Sequence, residues 1–352
     1  MKSNRWLNLL PNNVISDTMN APGFEAVAYR TIKVDGLDIF YREAGPKDGP
    51  VLLLLHGVPT SSRMYQPMLE SSLAKKYRLI APDFPGFGHS SWPAPKDFRY
   101  TFDHLAQVTE DFAALLELEH YTLYLHDYGG PVGMRTAVAN PEKVDAIIIQ
   151  NAVSHDEGLG PLWVSRREFW RDRAKHEAAF RAAFLSLETV RKRHLGTTPY
   201  PEGINPDIWR DEYYFLSQPG QADIQTELFY DYQTNVASYP AWQKWLREHQ
   251  PKMLVMWGRY DASFTVAGAE GYRRDVPDAE LHILEAGHFA LDEKPAEVIR
   301  LTEGFLHRVY HKSSQTSPLM KSGEEMEHLE KMLSMENTVS SGARLPRKES
   351  LV

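Results

Sequence analysis

Short hydrophobic runs alternate with amphipathic stretches along most of the chain. The fully apolar run at 51–55 is typical of a strand buried on both faces of a parallel sheet, and 144–150 is predicted to be another buried strand. Residues 102–118 instead place their hydrophobic positions at helical spacing. This alternation predicts an α/β fold with a mostly parallel, doubly wound sheet. The predicted strands are 29–34, 37–43, 51–55, 77–81, 121–125, 144–150, 253–257 and 281–284, and the predicted core helices include 62–74, 102–118 and 294–310.

The pattern changes between residues 151 and 252, where no run typical of a buried strand occurs. Residues 162–195, rich in arginine, alanine and aromatic residues, are predicted to be helical, as are 211–216 and 224–236. We therefore predict a helical cap that is inserted after the sixth strand and covers the carboxyl ends of the strands. The predicted division is a polar arm at 1–24, the α/β core at 25–153 and 240–310, the cap at 154–239, and a Ser-rich, charged tail at 311–352 that is expected to be mostly disordered.

Composition narrows the classes of function. The chain has 352 residues, 42% of them hydrophobic, which is ample for a large folded core, and its net charge of −8 gives no support to nucleic-acid binding. The absence of cysteine excludes disulfides, a thiol nucleophile and Cys metal sites. No apolar run approaches the ~18 residues that span a membrane, and the apolar patch near the N-terminus ends at Pro11, too early for a secretory signal. We expect a cytoplasmic protein without membrane or nucleic-acid partners.

The stretch 121–133, YTLYLHDYGGPVG, joins a predicted strand to a predicted helix through a sharp turn. Its three glycines, at 129, 130 and 133, allow the strand and the helix to approach closely. This is the nucleophile-elbow arrangement, and the residue at its apex is Asp127. The alternative role for Asp127 is that of a helix N-cap, which is common for an aspartate before a helix.

An aspartate at the apex restricts the chemistry. A carboxylate that attacks an sp3 carbon forms an ester, which activated water can hydrolyse, whereas a serine would form a stable ether. Asp127 needs no base to ionise it, because its unperturbed pKa is about 3.9. We therefore predict alkyl transfer followed by ester hydrolysis, with epoxides or carbon–halogen bonds as substrates. The lack of a serine at the apex argues against an esterase.

Other predicted strand ends carry the motif HGVP at 56–59, Asp261 and His288. The order nucleophile, acid, histidine is that of the α/β-hydrolase fold. Over about residues 30–310 the chain resembles the α/β-hydrolase superfamily, specifically its branch of epoxide hydrolases and haloalkane dehalogenases. The motifs that carry this resemblance are HGVP (56–59), DFPGFGHS (83–90), HDYGG (126–130), WGRYD (257–261) and AGHF (286–289).

The resemblance implies a catalytic role for each of these positions. Asp127 is the implied nucleophile, His288 the base that activates water, and Asp261 the acid that orients the imidazole and stabilises its charged form. The backbone N–H groups of Val58 and Tyr128 are the implied oxyanion hole for the tetrahedral intermediate of ester hydrolysis.

The remaining motif residues, His56 and Asp83, are expected to shape the loops around the site. Neither a metal nor an organic cofactor is implied. The aromatic residues of the cap suggest that the enzyme acts on a small apolar substrate with water, and a homodimer is compatible with the sequence.

Opening an epoxide requires a donor to the ring oxygen, and the cap is the expected source of this donor. Epoxide hydrolases use cap tyrosines for this purpose, and the segment 229–236, FYDYQTNV, resembles the helix that carries one of them. We predict Tyr232 as this donor, with Tyr230 as the alternative. Fluoroacetate-dehalogenase-like relatives also carry a tyrosine at the matching position, so this residue does not decide between epoxide opening and dehalogenation. Tyr213 and Tyr214 are the candidates for a second ring-opening tyrosine.

Haloalkane dehalogenases carry a tryptophan directly after the nucleophile, where this chain has Tyr128. Fluoroacetate dehalogenases have arginines directly after the nucleophile and three residues later, where this chain has Tyr128 and Pro131. Many epoxide hydrolases also differ from this chain, with Trp at the position of Tyr128 and an aromatic residue at that of Val58. We therefore predict an epoxide hydrolase, by elimination as much as by match. A dehalogenase acting on a haloalkane or haloacid, and a non-hydrolytic binding or biosynthetic protein, are the open alternatives.

Overall fold

A computed structural model describes residues 27–196 and 198–311, and an eight-stranded sheet runs through this part of the chain. The order across the sheet is β1-β2-β4-β3-β5-β6-β7-β8, with β2 antiparallel to β1 and β4 and all other neighbouring pairs parallel. The mostly parallel sheet predicted from the sequence is therefore confirmed. The strands are β1 (Ala28–Val34), β2 (Leu37–Ala44), β3 (Val51–Leu55), β4 (Arg78–Pro82), β5 (Tyr121–His126), β6 (Val144–Gln150), β7 (Met253–Gly258) and β8 (Glu280–Leu284).

Helices cover both faces of the sheet, as a doubly wound fold requires. One face packs against α2, α3 and α10, and the other against α1 and α12. The core helices are α1 (Gln66–Leu69), α2 (Phe102–Leu115), α3 (Gly129–Ala139), α10 (Val266–Asp275), α11 (Ala290–Glu293) and α12 (Pro295–Tyr310).

The side chains of β3 show why its sequence is a continuous hydrophobic run. Successive side chains of a strand point to opposite faces of the sheet. Leu53 and Leu55 accordingly belong to the larger hydrophobic cluster, which extends into the cap, while Leu52 and Leu54 belong to the cluster beneath α12. Both faces are therefore apolar, and the alternation that marks a half-solvated strand is lost.

The described residues between β6 and β7 contain six α-helices, which form the cap: α4 (Trp163–Arg171), α5 (Arg173–Phe184), α6 (Leu187–Leu195), α7 (Asp207–Leu216), α8 (Gln221–Asp231) and α9 (Gln233–His249). The boundary predicted between residues 239 and 240 lies inside α9, which continues through Pro240. The cap and the core are thus joined there by an unbroken helix.

The predicted helix at 62–74 is divided into short turns, so this prediction was wrong in extent. Residues 62–65 and 72–75 are 3₁₀ helices on either side of α1. The Ser71 hydroxyl accepts a hydrogen bond from the Leu73 N–H and so begins a new turn instead of continuing the old one.

The predicted arm at 1–24 and the predicted tail, apart from His311, lie outside the described residues. Within residues 27–196 and 198–311, no helix has the length and apolar character needed to cross a membrane.

Candidate active site

Asp127 occupies a sharp turn between β5 and α3 and has a positive φ of 47°. This left-handed conformation is uncommon for residues other than glycine, and such strain is found most often at functional sites. Space around the turn is also limited. A Cβ at Gly57 would lie 2.3 Å from the Asp127 Cβ, and one at Gly129 would lie 2.0 Å from the Leu55 carbonyl oxygen. The turn therefore needs both glycines, and it places the Asp127 side chain at the carboxyl ends of the strands.

The two oxygens of the Asp127 carboxylate have different surroundings. Oδ1 accepts a hydrogen bond from the Val58 N–H at 2.8 Å, and Oδ2 lies 3.6 Å from His288 Nε2. The N–H groups of Val58 and Tyr128 both help to lower the pKa of Asp127. The two backbone groups predicted as an oxyanion hole are thus directed at this carboxylate.

His288 is oriented by Asp261, as the order of the motifs implies. The His288 Nδ1–H donates to Asp261 Oδ2 at 2.6 Å. Asp261 also accepts hydrogen bonds from the backbone N–H groups of Ser263 and Phe264 and from the Asn151 side chain. This network holds the Asp261 carboxylate in place before any substrate binds, and it leaves His288 Nε2 directed at Asp127.

Burial and neighbouring charges act in opposite directions on the pKa values of Asp127 and His288. Burial raises the pKa of Asp127, and the neighbouring His288 and the backbone N–H groups oppose this shift only in part. Burial by itself would lower the pKa of His288, but the charge and hydrogen bond of Asp261 outweigh it, so the net shift of that pKa is upward. Acidic conditions therefore favour the protonated form of His288, which cannot accept a further proton.

His56 and Asp83 hold the loops around the site through hydrogen bonds. The His56 Nδ1–H donates to the Gly57 carbonyl, and its Nε2 accepts from the Phe84 N–H. Asp83 accepts from the N–H groups of Ser62 and His89. These contacts match the loop-shaping role expected from the sequence.

Asn151 and His126 also support the triad, although the sequence analysis did not identify them. Asn151, which has a φ of 43°, follows β6 and bonds to both Asp261 and Gly258. The His126 Nε2–H donates to the His288 carbonyl oxygen at 3.1 Å. Asn151 is marked in the sequence only by its position at a strand end, which many non-functional residues share, whereas His126 opens the HDYGG motif without a role assigned to it.

A cavity of about 410 Å³ opens over Asp127 between the strand ends and the cap. Tyr232, between α8 and α9, is on its wall, and the Tyr232 ring packs 4.7 Å from Trp163 and 5.8 Å from Tyr128. The lining residues are Val58, Asp127, Tyr128, Leu162, Trp163, Arg166, Phe184, Thr189, Lys192, Arg193, Gly196, Phe229, Tyr232, Asp261, Ala262, Ser263 and His288.

The other predicted tyrosines do not line this cavity. Tyr230 packs against Phe169 and beneath Arg173. Tyr213 and Tyr214 are on α7, whose buried positions are Trp209, Glu212 and Leu216, and Tyr214 is 60% exposed. The prediction that Tyr213 or Tyr214 acts as a second ring-opening group therefore has no geometric support, because the helical register of α7 directs other residues inward.

The indole on the cavity wall has no free N–H. Trp163 Nε1 donates to the Ser263 carbonyl oxygen at 3.0 Å. Trp170, which stacks on Tyr232, likewise donates its N–H to the Phe229 carbonyl oxygen. Both of these indole N–H groups therefore already donate to backbone carbonyl oxygens and are not free to bind a ligand in the cavity.

Two arginines of the cap, Arg166 and Arg193, line the cavity and were not predicted from the sequence. The arginine-rich composition of 162–195 was visible, but composition does not indicate which arginine faces the site. As for metal ions, residues 27–196 and 198–311 contain no group of three or more His, Asp or Glu side chains arranged to hold one.

Comparison with known proteins identifies the family of the chain. The profile of the α/β-hydrolase fold family matches residues 50–295, so the chain belongs to this family. An uncharacterized hydrolase of Saccharomyces cerevisiae, YNR064C, is 37% identical over 263 residues, covering 73% of this chain and 89% of that protein.

Two further relatives are named for reactions. A haloalkane dehalogenase of Psychrobacter cryohalolentis is 34% identical over 282 residues, covering 77% of this chain and 88% of that protein. Epoxide hydrolase 2 of Caenorhabditis elegans is 26% identical over 291 residues, covering 79% of this chain and 80% of that protein. The chain is therefore a hydrolase of the α/β-hydrolase family, and its relatives include proteins named haloalkane dehalogenase and epoxide hydrolase.

Proposed function

We propose that this hydrolase opens epoxides to vicinal diols through an ester intermediate on Asp127. The observation that carries the proposal is the asymmetric environment of the Asp127 carboxylate. Oδ1 is bound by the Val58 N–H, while Oδ2 faces His288 in the cavity that Tyr232 also lines. One oxygen is thus held for the ester carbonyl, and the other is available to attack.

In the first step, Asp127 Oδ2 attacks a ring carbon and the bond between that carbon and the ring oxygen breaks. The oxygen takes the proton of the Tyr232 hydroxyl, which gives a hydroxyalkyl ester and a tyrosinate. Burial and the nearby groups Tyr239 and Asp127 raise the pKa of Tyr232, so the hydroxyl holds its proton until the ring oxygen becomes basic. Such a positioned acid contributes roughly 10²–10⁴-fold to a reaction rate.

In the second step, His288 removes a proton from water, and the resulting hydroxide adds to the Asp127 carbonyl carbon. The N–H groups of Val58 and Tyr128 stabilise the oxyanion of the tetrahedral intermediate. Collapse expels the diol oxygen, which takes the proton from His288. The Asp127 carboxylic acid then ionises, and its proton returns to the Tyr232 oxygen through water, so the net reaction consumes one water molecule.

The donors around the cavity favour an epoxide over a neutral haloalkane. Tyr232 supplies a hydroxyl to an alkoxide, whereas the indole N–H of Trp163, a donor suited to a halide, is bonded to the Ser263 carbonyl oxygen. The similarity to a haloalkane dehalogenase makes dehalogenation by the same Asp127 ester the second candidate. The two reactions differ in their products and can be separated directly.

The test is trapping of the intermediate in His288→Ala. This variant keeps the nucleophile but lacks the base of the second step, so we expect the ester to accumulate and turnover to fall at least 10²-fold. The variant and the wild type are incubated with a panel of epoxides and a panel of haloalkanes and haloacids. Mass spectrometry of intact protein and peptides, together with halide release, identifies the adduct, and wild-type turnover in ¹⁸O water shows whether the label enters Asp127.

A mass increase on the Asp127 peptide from epoxides alone would support the proposal. An adduct from a halogenated compound alone, with halide released, would replace it by the dehalogenase. The absence of any adduct from either panel would contradict both reactions and favour the non-hydrolytic alternative. His282→Ala, which removes a histidine from β8 outside the cavity, is the matched control and should retain turnover.

A further inference from the structure

Seven arginines lie on α4, α5 and α6, and most of them have a carboxylate partner. The paired arginines are Arg167, Arg171, Arg173, Arg181 and Arg191, which contact Asp156, Glu168, Glu177, Asp223, Glu188 or Glu227. Arg166 and Arg193 have no carboxylate within ion-pair distance in the described part of the chain. These two are also the arginines that line the catalytic cavity.

Both guanidinium groups are held in place by aromatic rings and by neutral oxygen acceptors. Arg166 stacks over the Trp163 ring at 4.5 Å and donates to the Ser263 hydroxyl at 2.9 Å. Arg193 stacks over the Phe184 ring at 4.2 Å and donates to the Phe184 carbonyl oxygen. Stacking on an aromatic face restricts a guanidinium plane and so prepares it for a planar anion.

One nitrogen of the Arg193 guanidinium group lacks a hydrogen-bond acceptor among the described residues. Its Nη1 is buried and has no hydrogen-bond partner among residues 27–196 and 198–311. A buried donor of a charged group that lacks a partner destabilises the protein, because the group has lost water without gaining a replacement. Burial and the neighbouring Arg166 lower the pKa of Arg193 to about 10, which leaves it charged at neutral pH.

From this arrangement we infer that Arg166 and Arg193 form an anion subsite, and that the substrate carries a carboxylate on an otherwise apolar body. The inference rests on the proposed function in one respect, namely that the group that reacts with Asp127 is an epoxide. The guanidinium fork matches the two oxygens of a carboxylate, and the aromatic walls, Trp163, Phe184 and Phe229, match an apolar chain. A phosphate ester fits less well, because its second charge would be repelled by the Asp127 carboxylate in the same cavity.

This subsite differs from the arrangement expected of a fluoroacetate dehalogenase, whose arginines follow the nucleophile. Here the charges come from α4 and α6 of the cap, while the positions after Asp127 are neutral. Lys192, a third cation on the cavity wall, is 67% exposed and lies 3.4 Å from Glu188, so it is not part of the subsite. The expectation of a purely apolar substrate is therefore replaced by that of an amphipathic acid.

The first experiment measures binding without chemistry. Octanoate and octanamide have the same chain and neither an epoxide nor a carbon–halogen bond, so calorimetric titration of the wild type with each reports the subsite alone. We expect the wild type to bind octanoate at least tenfold more tightly than octanamide. Arg166→Gln and Arg193→Gln should each lower the affinity for octanoate about 10- to 100-fold and leave the affinity for octanamide little changed. Arg167→Gln and Arg191→Gln, neighbours on the same helices that do not line the cavity, should bind octanoate as the wild type does.

The second experiment measures turnover of terminal epoxides that end in a carboxylate or in the corresponding amide, over a series of chain lengths. The ratio of kcat/KM for acid to amide does not depend on the fraction of folded enzyme, so it remains informative if a variant is less stable. We expect this ratio to exceed ten in the wild type at the best chain length and to approach one in the two Gln variants. Arg193→Lys should retain part of the preference, because it keeps the charge and loses the fork.

Equal affinity for octanoate and octanamide in the wild type would overturn the inference. The inference would also be overturned if the Gln variants slowed turnover of the acid and amide epoxides equally. That result would mean that the arginines act on the ionisation of Asp127 and not on the carboxylate of the substrate. Arginine-dependent binding of octanoate without turnover of any epoxide would support the subsite and reject the proposed reaction. Turnover of epoxides without a preference for acids would support the reaction and reject the subsite.

Discussion

The side chains that come from the strand ends are held by hydrogen bonds to the backbone, whereas those from the cap are held mainly by aromatic rings. Asp127 accepts from the Val58 N–H, and Asp261 accepts from two backbone N–H groups as well as from His288. Tyr232, in contrast, packs among the rings of Phe102, Trp163 and Trp170 at 4.7–6.1 Å.

This difference has a physical consequence for each half of the site. A hydrogen bond between a carboxylate and a backbone N–H depends closely on distance and angle, so it fixes the reacting atoms. Aromatic packing depends on area and volume and tolerates exchange of one ring or aliphatic chain for another. We infer that the strand ends determine the reaction, and that the cap determines which molecule undergoes it.

The largest effect is expected when a hydrogen-bonded residue of the strand ends is changed. Asp261→Asn removes the charge that stabilises protonated His288, and it can favour the wrong tautomer of the imidazole. We expect hydrolysis of the Asp127 ester to slow roughly 10²–10⁴-fold, so that the ester accumulates in single-turnover experiments. Asp278→Asn, an exposed position after α10, serves as the control and should leave the rate unchanged.

The same variant has a predicted pH dependence. His288 must be neutral to accept a proton from water, and Asp261 raises the pKa of His288 above its usual 6.5. Ester hydrolysis by the wild type should therefore increase with pH and have its midpoint above 6.5, while in Asp261→Asn the midpoint moves to lower pH. A midpoint that is the same in both proteins would contradict the role of Asp261.

A smaller effect is expected from the cap tyrosine. Tyr232→Phe keeps the ring packing and removes the hydroxyl, so ring opening should slow roughly 10- to 10²-fold while hydrolysis of the ester is unchanged. Rapid-quench measurements of ester formation and decay separate the two steps. Tyr230→Phe, which changes a tyrosine outside the cavity, should affect neither step. If Tyr232→Phe slowed both steps equally, the hydroxyl would be acting on the whole site and not on the ring oxygen.

The smallest effect on activity is expected at a buried carboxyl between the core and the cap. Asp292, on α11, has a side chain 5% exposed and lies 3.9 Å from His194 of α6. Burial raises the pKa of Asp292 to about 6, above the ~3.9 of an unfolded chain, with His194 and Arg63 opposing the shift. Its contribution to the free energy of unfolding is therefore present at low pH and is lost as the pH rises from about 4 to about 6.

Asp292→Asn should consequently increase the free energy of unfolding at pH 8 by roughly 1–3 kcal/mol, with little change at pH 4. Urea unfolding at the two pH values measures the difference, and Asp278→Asn is again the control. A decrease in stability at pH 8 would indicate that the Asp292 carboxylate is a favourable partner of His194 or Arg63 when ionised.

The parts of the fold that were predicted correctly are those that local pattern specifies. β3 is fully apolar because it is buried on both faces, and the apolar centre of β6 is buried in the same way. The division of 62–74 into turns was missed because it depends on a single hydroxyl, that of Ser71, competing with the helix. The continuous α9 was missed because the cap boundary was placed at Pro240.

In the site, the sequence by itself determined which residues of the strand ends come together. An aspartate at the apex of a strand–turn–helix segment, followed in order by Asp261 and His288 at later strand ends, specifies the triad, because parallel strands bring their carboxyl ends to one edge of the sheet. Only the tertiary structure decided the rest. It places Tyr232 on the cavity wall and Tyr230, Tyr213 and Tyr214 outside the cavity lining, through the direction in which each helix faces the cavity. It also determines that Arg166 and Arg193 lack a carboxylate partner while the neighbouring arginines form ion pairs. An ion pair depends on the distance between helices, and the local sequence pattern does not specify that distance.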